Sequence, residues 1–169
     1  KAIGIEDGAV IPTGDTLDCV TEFGLPPDPG MTGCHELTHY VHLRQIAGFW
    51  RVLDTVFGDV ATPQGGFDPW FLEGLATYEE SRLTSQGRRR SAQFDMMLRM
   101  IVLEQGFPPL DRVSGPATIY PYTTSVYLYG LHLVHYIGTR YGHDKLRDFS
   151  HVLGGRVIPY SINRSMQEV

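Results

Sequence analysis

The apolar positions of this chain fall into helical stripes separated by clusters of Pro and Gly. The most regular stripe runs from Ser91 to about Gln105, where Phe94, Met97, Leu98, Ile101 and Val102 follow the i, i+3, i+4, i+7 spacing that lines one helix face. Gly106-Phe107-Pro108-Pro109 ends it, and Met96, Met97 and Met100 read as packing. Asp28-Pro29 resembles an N-cap followed by proline at the first helical position and predicts a helix to about Gly48. That helix is apolar on several sides (Met31, Leu37, Val41, Leu43, Ile46), as a buried helix is. Asp68-Pro69 repeats the start after the break Thr62-Pro63-Gln64-Gly65-Gly66 and predicts a second helix, from Trp70 to about Leu83. The most apolar helix is expected from about Thr124 to Tyr141. Gly142-His143-Asp144 interrupts it and caps a last amphipathic helix, Lys145 to Leu153. Strand character is weak. Ala2-Ile3 with Ile5, Ala9-Val10-Ile11 before Pro12, and Val157-Ile158 are the candidate strands. The pattern therefore predicts a mainly α fold with a small β part, an α+β class. At 169 residues it predicts a single domain spanning 1–169.

Charge narrows the partners. A net charge of −5 provides no basic field for nucleic acid, and Arg88-Arg89-Arg90, the longest basic run, reads as a solvated loop. No apolar stretch reaches the roughly 20 residues of a membrane span, and no segment resembles a signal peptide. The chain begins with Lys1, as a processed product or part of a longer chain would. Cys19 and Cys34 flank the turn-rich run Gly24 to Gly30. A disulfide across that loop would contribute about 3 kcal/mol by the chain-entropy estimate and would suit a secreted or periplasmic protein; the competing reading is two separate buried thiols.

The chemistry concentrates in Gly33-Cys34-His35-Glu36-Leu37-Thr38-His39-Tyr40, which contains an H-E-x-x-H motif. Histidines four apart project from one helix face, so His35 and His39 can reach one Zn²⁺ through imidazole nitrogens. Glu36 stands beside them as a general base that takes a proton from water and delivers it to a leaving amine. Cys34 points about 100° away from that face and is a poor ligand. His42, about 10 Å along the axis from His35, is too far to share the metal and reads as a supporting or packing histidine. Glu73 lies among Trp70, Phe71, Leu72 and Leu75, where a carboxylate is costly to bury unless paired or metal-bound. Glu80, seven positions later on the same face, either orients a ligand histidine through its other ring nitrogen or lies at the surface.

His35-Glu36-x-x-His39 together with Trp70-Phe71-Leu72-Glu73-Gly74-Leu75-Ala76-Thr77-Tyr78 resembles the gluzincin metallopeptidases, most closely the M1 aminopeptidase-like group. The resemblance runs from about Gly33 to Leu153. It implies zinc ligation by His35, His39 and Glu73, a general base at Glu36, and a zincin-like catalytic domain with a C-terminal helical lobe. Leu72 stands where that group carries Asn, the interval from His39 to Glu73 is longer, and the glycine-rich motif that binds a free α-amino group has no counterpart in Lys1 to Gly30. The H-E-x-x-H-x-x-G-x-x-H pattern of the metzincins is not met, since His42 and Gln45 occupy its later positions. The Y-x-x-G run of the M1-like group implies Tyr127, three before Gly130, as the donor to the oxyanion. Tyr122, His132 and His135 are the other candidates.

These features predict a zinc-dependent peptidase acting on a peptide or protein, with its cleft between the two motif helices. An inactive peptide- or protein-binding module is the alternative. A zinc-stabilised structural domain would call for a fourth protein ligand, and only three good ligands are visible.

Overall fold

The computed structural model describes residues 29–58, 68–104, 106–114, 120–157 and 162–169. In chain order these form α1 (Pro29–Leu43), α2 (Gly48–Phe57), α3 (Pro69–Leu83), a 3₁₀ turn (Arg88–Arg90), α4 (Ala92–Glu104), α5 (Leu110–Val113), a second 3₁₀ turn (Tyr122–Thr124), α6 (Ser125–Tyr141), α7 (His143–Leu153) and α8 (Ile162–Glu168).

No strand occurs among the described residues, so the expected α+β class is corrected to all-α. Val157 lies in a bend, and Ile162–Glu168 forms α8, which buries Ile162 and Ser165. Arg156 ties that helix down, donating from Nε to Ser165 Oγ at 3.1 Å and pairing with Glu168. The zincin-like catalytic domain falls under the same correction: the described residues form a helical assembly without a sheet. The candidate strands before Pro12, Cys19 and hence its pairing with Cys34, the Asp28 cap, the Thr62–Gly66 break and Ile158 lie outside the described residues.

α3 and α6 pack most extensively against each other, and α1 lies on α3. Two glycines permit the crossing. A Cβ on Gly74 would fall 2.4 Å from the carbonyl carbon of Gly130, and one on Gly130 would fall 2.2 Å from the carbonyl oxygen of Trp70. With no side chains there, the backbones touch, and Glu73 and Tyr127 ride on the same crossing. Two buried clusters flank it. Trp70, Phe71 and Leu75 of α3 meet Val134, Leu146 and Phe149. Met31, Phe94, Met97 and Ile101 meet Leu128 and Leu131.

Element limits shift modestly from the expected ones. α1 stops at Leu43 rather than near Gly48, and after a short loop Ala47 donates its N–H to the Gly154 carbonyl at 3.0 Å. The aromatic and β-branched residues after Gly48 form α2, which contributes no buried residue and leaves Phe49, Val52, Val56 and Phe57 exposed. In α4 the predicted stripe buries Phe94, Met97 and Ile101, whereas Val102 faces out. Pro69 opens α3 as predicted, but the Asp68 side chain makes no capping bond. None of the described helices is long and apolar enough to cross a membrane.

Candidate metal centre

His35 and His39 lie one turn apart on α1, both buried, and both direct Nε2 toward Glu73 on α3. The three donor atoms form a closed triangle: His35 Nε2 to His39 Nε2 is 3.0 Å, His35 Nε2 to Glu73 Oε2 is 3.4 Å, and His39 Nε2 to Glu73 Oε2 is 3.3 Å. Four ligands set tetrahedrally at zinc's bond lengths stand about 3.3 Å apart, so the donor set and its spacing fit such an ion. These three residues could hold a metal ion.

The electrostatics follow from this convergence. Burial opposes charge on Glu73, but hydrogen bonding to His35 and His39 outweighs it and holds the carboxyl well below the usual carboxylate range. Burial likewise opposes protonation of His35, yet its bonds to Glu73 and Glu80 push its pKa up to about 9.

Glu80, two turns beyond Glu73 on α3, has no exposed side-chain surface, and its Oε2 lies 3.5 Å from His35 Nδ1. One ring nitrogen of His35 therefore faces the triangle while the other faces a buried carboxylate at 3.5 Å, an ion-pair distance rather than a hydrogen bond. Of the two readings of Glu80, the surface one is excluded: its side chain is buried and faces the His35 ring. The sequence reading missed what holds Glu80. Arg88, expected in a solvated loop, is buried in the 3₁₀ turn; its backbone N–H donates to Glu80 Oε1 at 3.3 Å and its guanidinium Nη1 lies 3.7 Å from the same oxygen. The available signal was Gly87, whose φ of +106° and contact with Ser81 fold the turn back onto α3.

Glu36 is buried on α1 and is not one of the three converging groups. Tyr127 lies beside the site: its ring centroid is 6.3 Å from that of His35, and the Arg88 guanidinium lies over the ring, 4.9 Å from its centroid. The other oxyanion candidates are engaged elsewhere. Tyr122 is largely exposed, His132 donates from Nδ1 to the Leu128 carbonyl at 2.7 Å, and His135 accepts a bond from Arg89. His42 is a buried packing residue, edge-on to Phe71 with centroids 5.4 Å apart. Cys34 stays outside the triangle, its thiol pKa raised by burial and then by Glu79 and Glu80.

Comparison with protein-family models, curated proteins and solved structures finds no match. Function must therefore be argued from the site itself.

Proposed function

We propose that this chain is a zinc-dependent peptidase in which His35, His39 and Glu73 hold the metal and Glu36 carries the proton. The observation that supports it most is the closed triangle of two imidazole nitrogens and one carboxylate oxygen, with edges of 3.0 to 3.4 Å, whose two histidines share α1 with Glu36. Two nitrogens and one oxygen with a position left open are the donor set of a catalytic rather than a structural zinc. When bound there, zinc supplies Lewis acidity, lowering the pKa of water and polarising a carbonyl. The chain's own residues do the rest. Glu80 keeps His35 Nε2 aimed into the triangle. The Glu36 carboxylate accepts a proton from water and later passes it to the leaving amine. The Tyr127 phenol donates to the peptide oxygen as negative charge grows on it, its ring lying near His35 and under the Arg88 guanidinium.

The decisive experiment joins metal analysis to digestion of a mixed peptide library. The expected result is one zinc per chain with measurable cleavage. Glu36→Gln should retain zinc and the fold while losing about 10²–10⁴-fold in kcat; near wild-type turnover in that variant would refute the role. Tyr127→Phe should also keep zinc and lower kcat by about 10²-fold. An unchanged kcat there would remove the oxyanion role from Tyr127. A chain that retains zinc and cleaves nothing would transfer the reading to an inactive binding module.

A further inference from the structure

A second polar site lies further along the same helix pair. Between α3 and α6, about 12 Å along α3 from Glu73, is a cavity of about 280 Å³ lined by Tyr78, Ser81, Arg89, Arg90, His135 and Thr139.

The charges around this cavity are unbalanced. Arg82, at its edge, is taken by Glu79 at 2.7 Å. Arg89 and Arg90 have no acidic partner among the described residues. Arg90 Nη1 donates to the carbonyls of Ser81 and Gln86, and Arg89 Nη1 donates to His135 Nε2 at 3.2 Å, all neutral acceptors. The 3₁₀ turn that presents them is fastened to α3, since Arg89 N–H donates to Ser81 Oγ at 3.1 Å and a Cβ on Gly87 would meet that oxygen at 2.2 Å. His135 is fixed as well, with Nδ1 3.3 Å from Thr139 Oγ1. In a chain of net charge −5, two anchored guanidinium groups facing one polar cavity form a local positive field.

We propose that this cavity binds a compact dianionic oxyanion of the phosphate class, held by Arg89 and Arg90 with His135 beside it. Guanidinium groups donate in forks that match tetrahedral oxyanions, and two uncompensated charges favour a dianion over a monoanion. The site is separate from the metal centre and does not depend on the peptidase reading.

The test is a titration of inorganic phosphate into the full chain at fixed ionic strength, followed by the imidazole C–H resonances of His135. A saturable shift is expected, weakened at least 10-fold in Arg89→Gln and abolished when Arg90→Gln is added. Arg99→Gln, whose guanidinium pairs with Asp95 at 2.9 Å, should bind like the parent. Circular dichroism confirms that each variant is folded; if Arg90→Gln is not, Arg89→Gln alone decides. A phosphoserine peptide that binds more tightly than phosphate identifies a phosphorylated polypeptide as the source, and equal binding identifies the free ion. A shift that never saturates, or an affinity unchanged in folded Arg89→Gln, overturns the proposal.

Discussion

Glu73 and Glu80 are the same residue type, two turns apart on one face of α3, and both reach His35, yet their surroundings differ. Among the described residues the Glu73 carboxylate meets the Nε2 atoms of His35 and His39 alone, and it keeps 21% of its side-chain surface exposed. Glu80 meets the Arg88 guanidinium and backbone on one side and His35 Nδ1 on the other, with no exposed surface. The carboxylate with a permanent cation beside it serves as a fixed support. The one without is free to give its charge to whatever enters the triangle. Partners, rather than residue type or helix position, separate a ligand from a support.

Removing each carboxylate in turn should separate the two roles, and Glu73 should show the larger effect. Glu73→Ala leaves two ligands on one helix and half of the coordination shell empty, so zinc affinity should fall well beyond the 10–100-fold typical of a supporting residue. Competition with a chromophoric chelator measures it. Stoichiometric, tightly held zinc in Glu73→Ala would erase the distinction.

Glu80→Gln should cost about 10–100-fold in zinc affinity, because His35 loses the charge that orients it. It should also cost stability, up to about 3–5 kcal/mol, since Arg88 is left buried without its counter-charge. The two losses can be told apart. Adding Arg88→Met should restore most of the stability in denaturant melts without restoring the affinity. Recovery of both together would mean that Glu80 acts on the metal site only through the fold.

The comparison also marks what the sequence could disclose. His35, His39 and Glu73 were legible because helix periodicity places i and i+4 on one face, and because a carboxylate among Trp70, Phe71 and Leu75 needs a partner. The helical stripes were legible for the same reason, and the buried Phe94, Met97 and Ile101 follow theirs. Arg88 was not, since a run of three arginines has the composition of a solvated loop, and only the fold shows that the first turns inward while the next two do not. Nor was α8: seven residues with two buried positions carry too little periodicity to outweigh the β-branched pair Val157-Ile158 before them. The α2 helix was obscured by aromatic and β-branched residues that also suit a strand.

The smallest effect is a proton count. In the metal-free chain burial disfavours charge on His35, but bonding to Glu73 and Glu80 overcomes it and raises the pKa to about 9. At pH 7 the imidazole therefore carries a proton, and a metal that takes the Nε2 lone pair must displace it. The sign follows: zinc affinity should rise with pH, by up to about tenfold per unit between pH 7 and 9, and level off once His35 is already neutral. Calorimetry in buffers of different ionisation enthalpy should show one more proton released per zinc at pH 7 than at a pH well above 9. Glu80→Gln removes one of the two bonds that hold the pKa up, so its affinity should level off at lower pH than the parent's. If proton release is the same at both pH values, His35 is neutral before the metal arrives, and the contrast between a carboxylate that yields to a cation and one that supports an imidazole would have to rest on geometry alone.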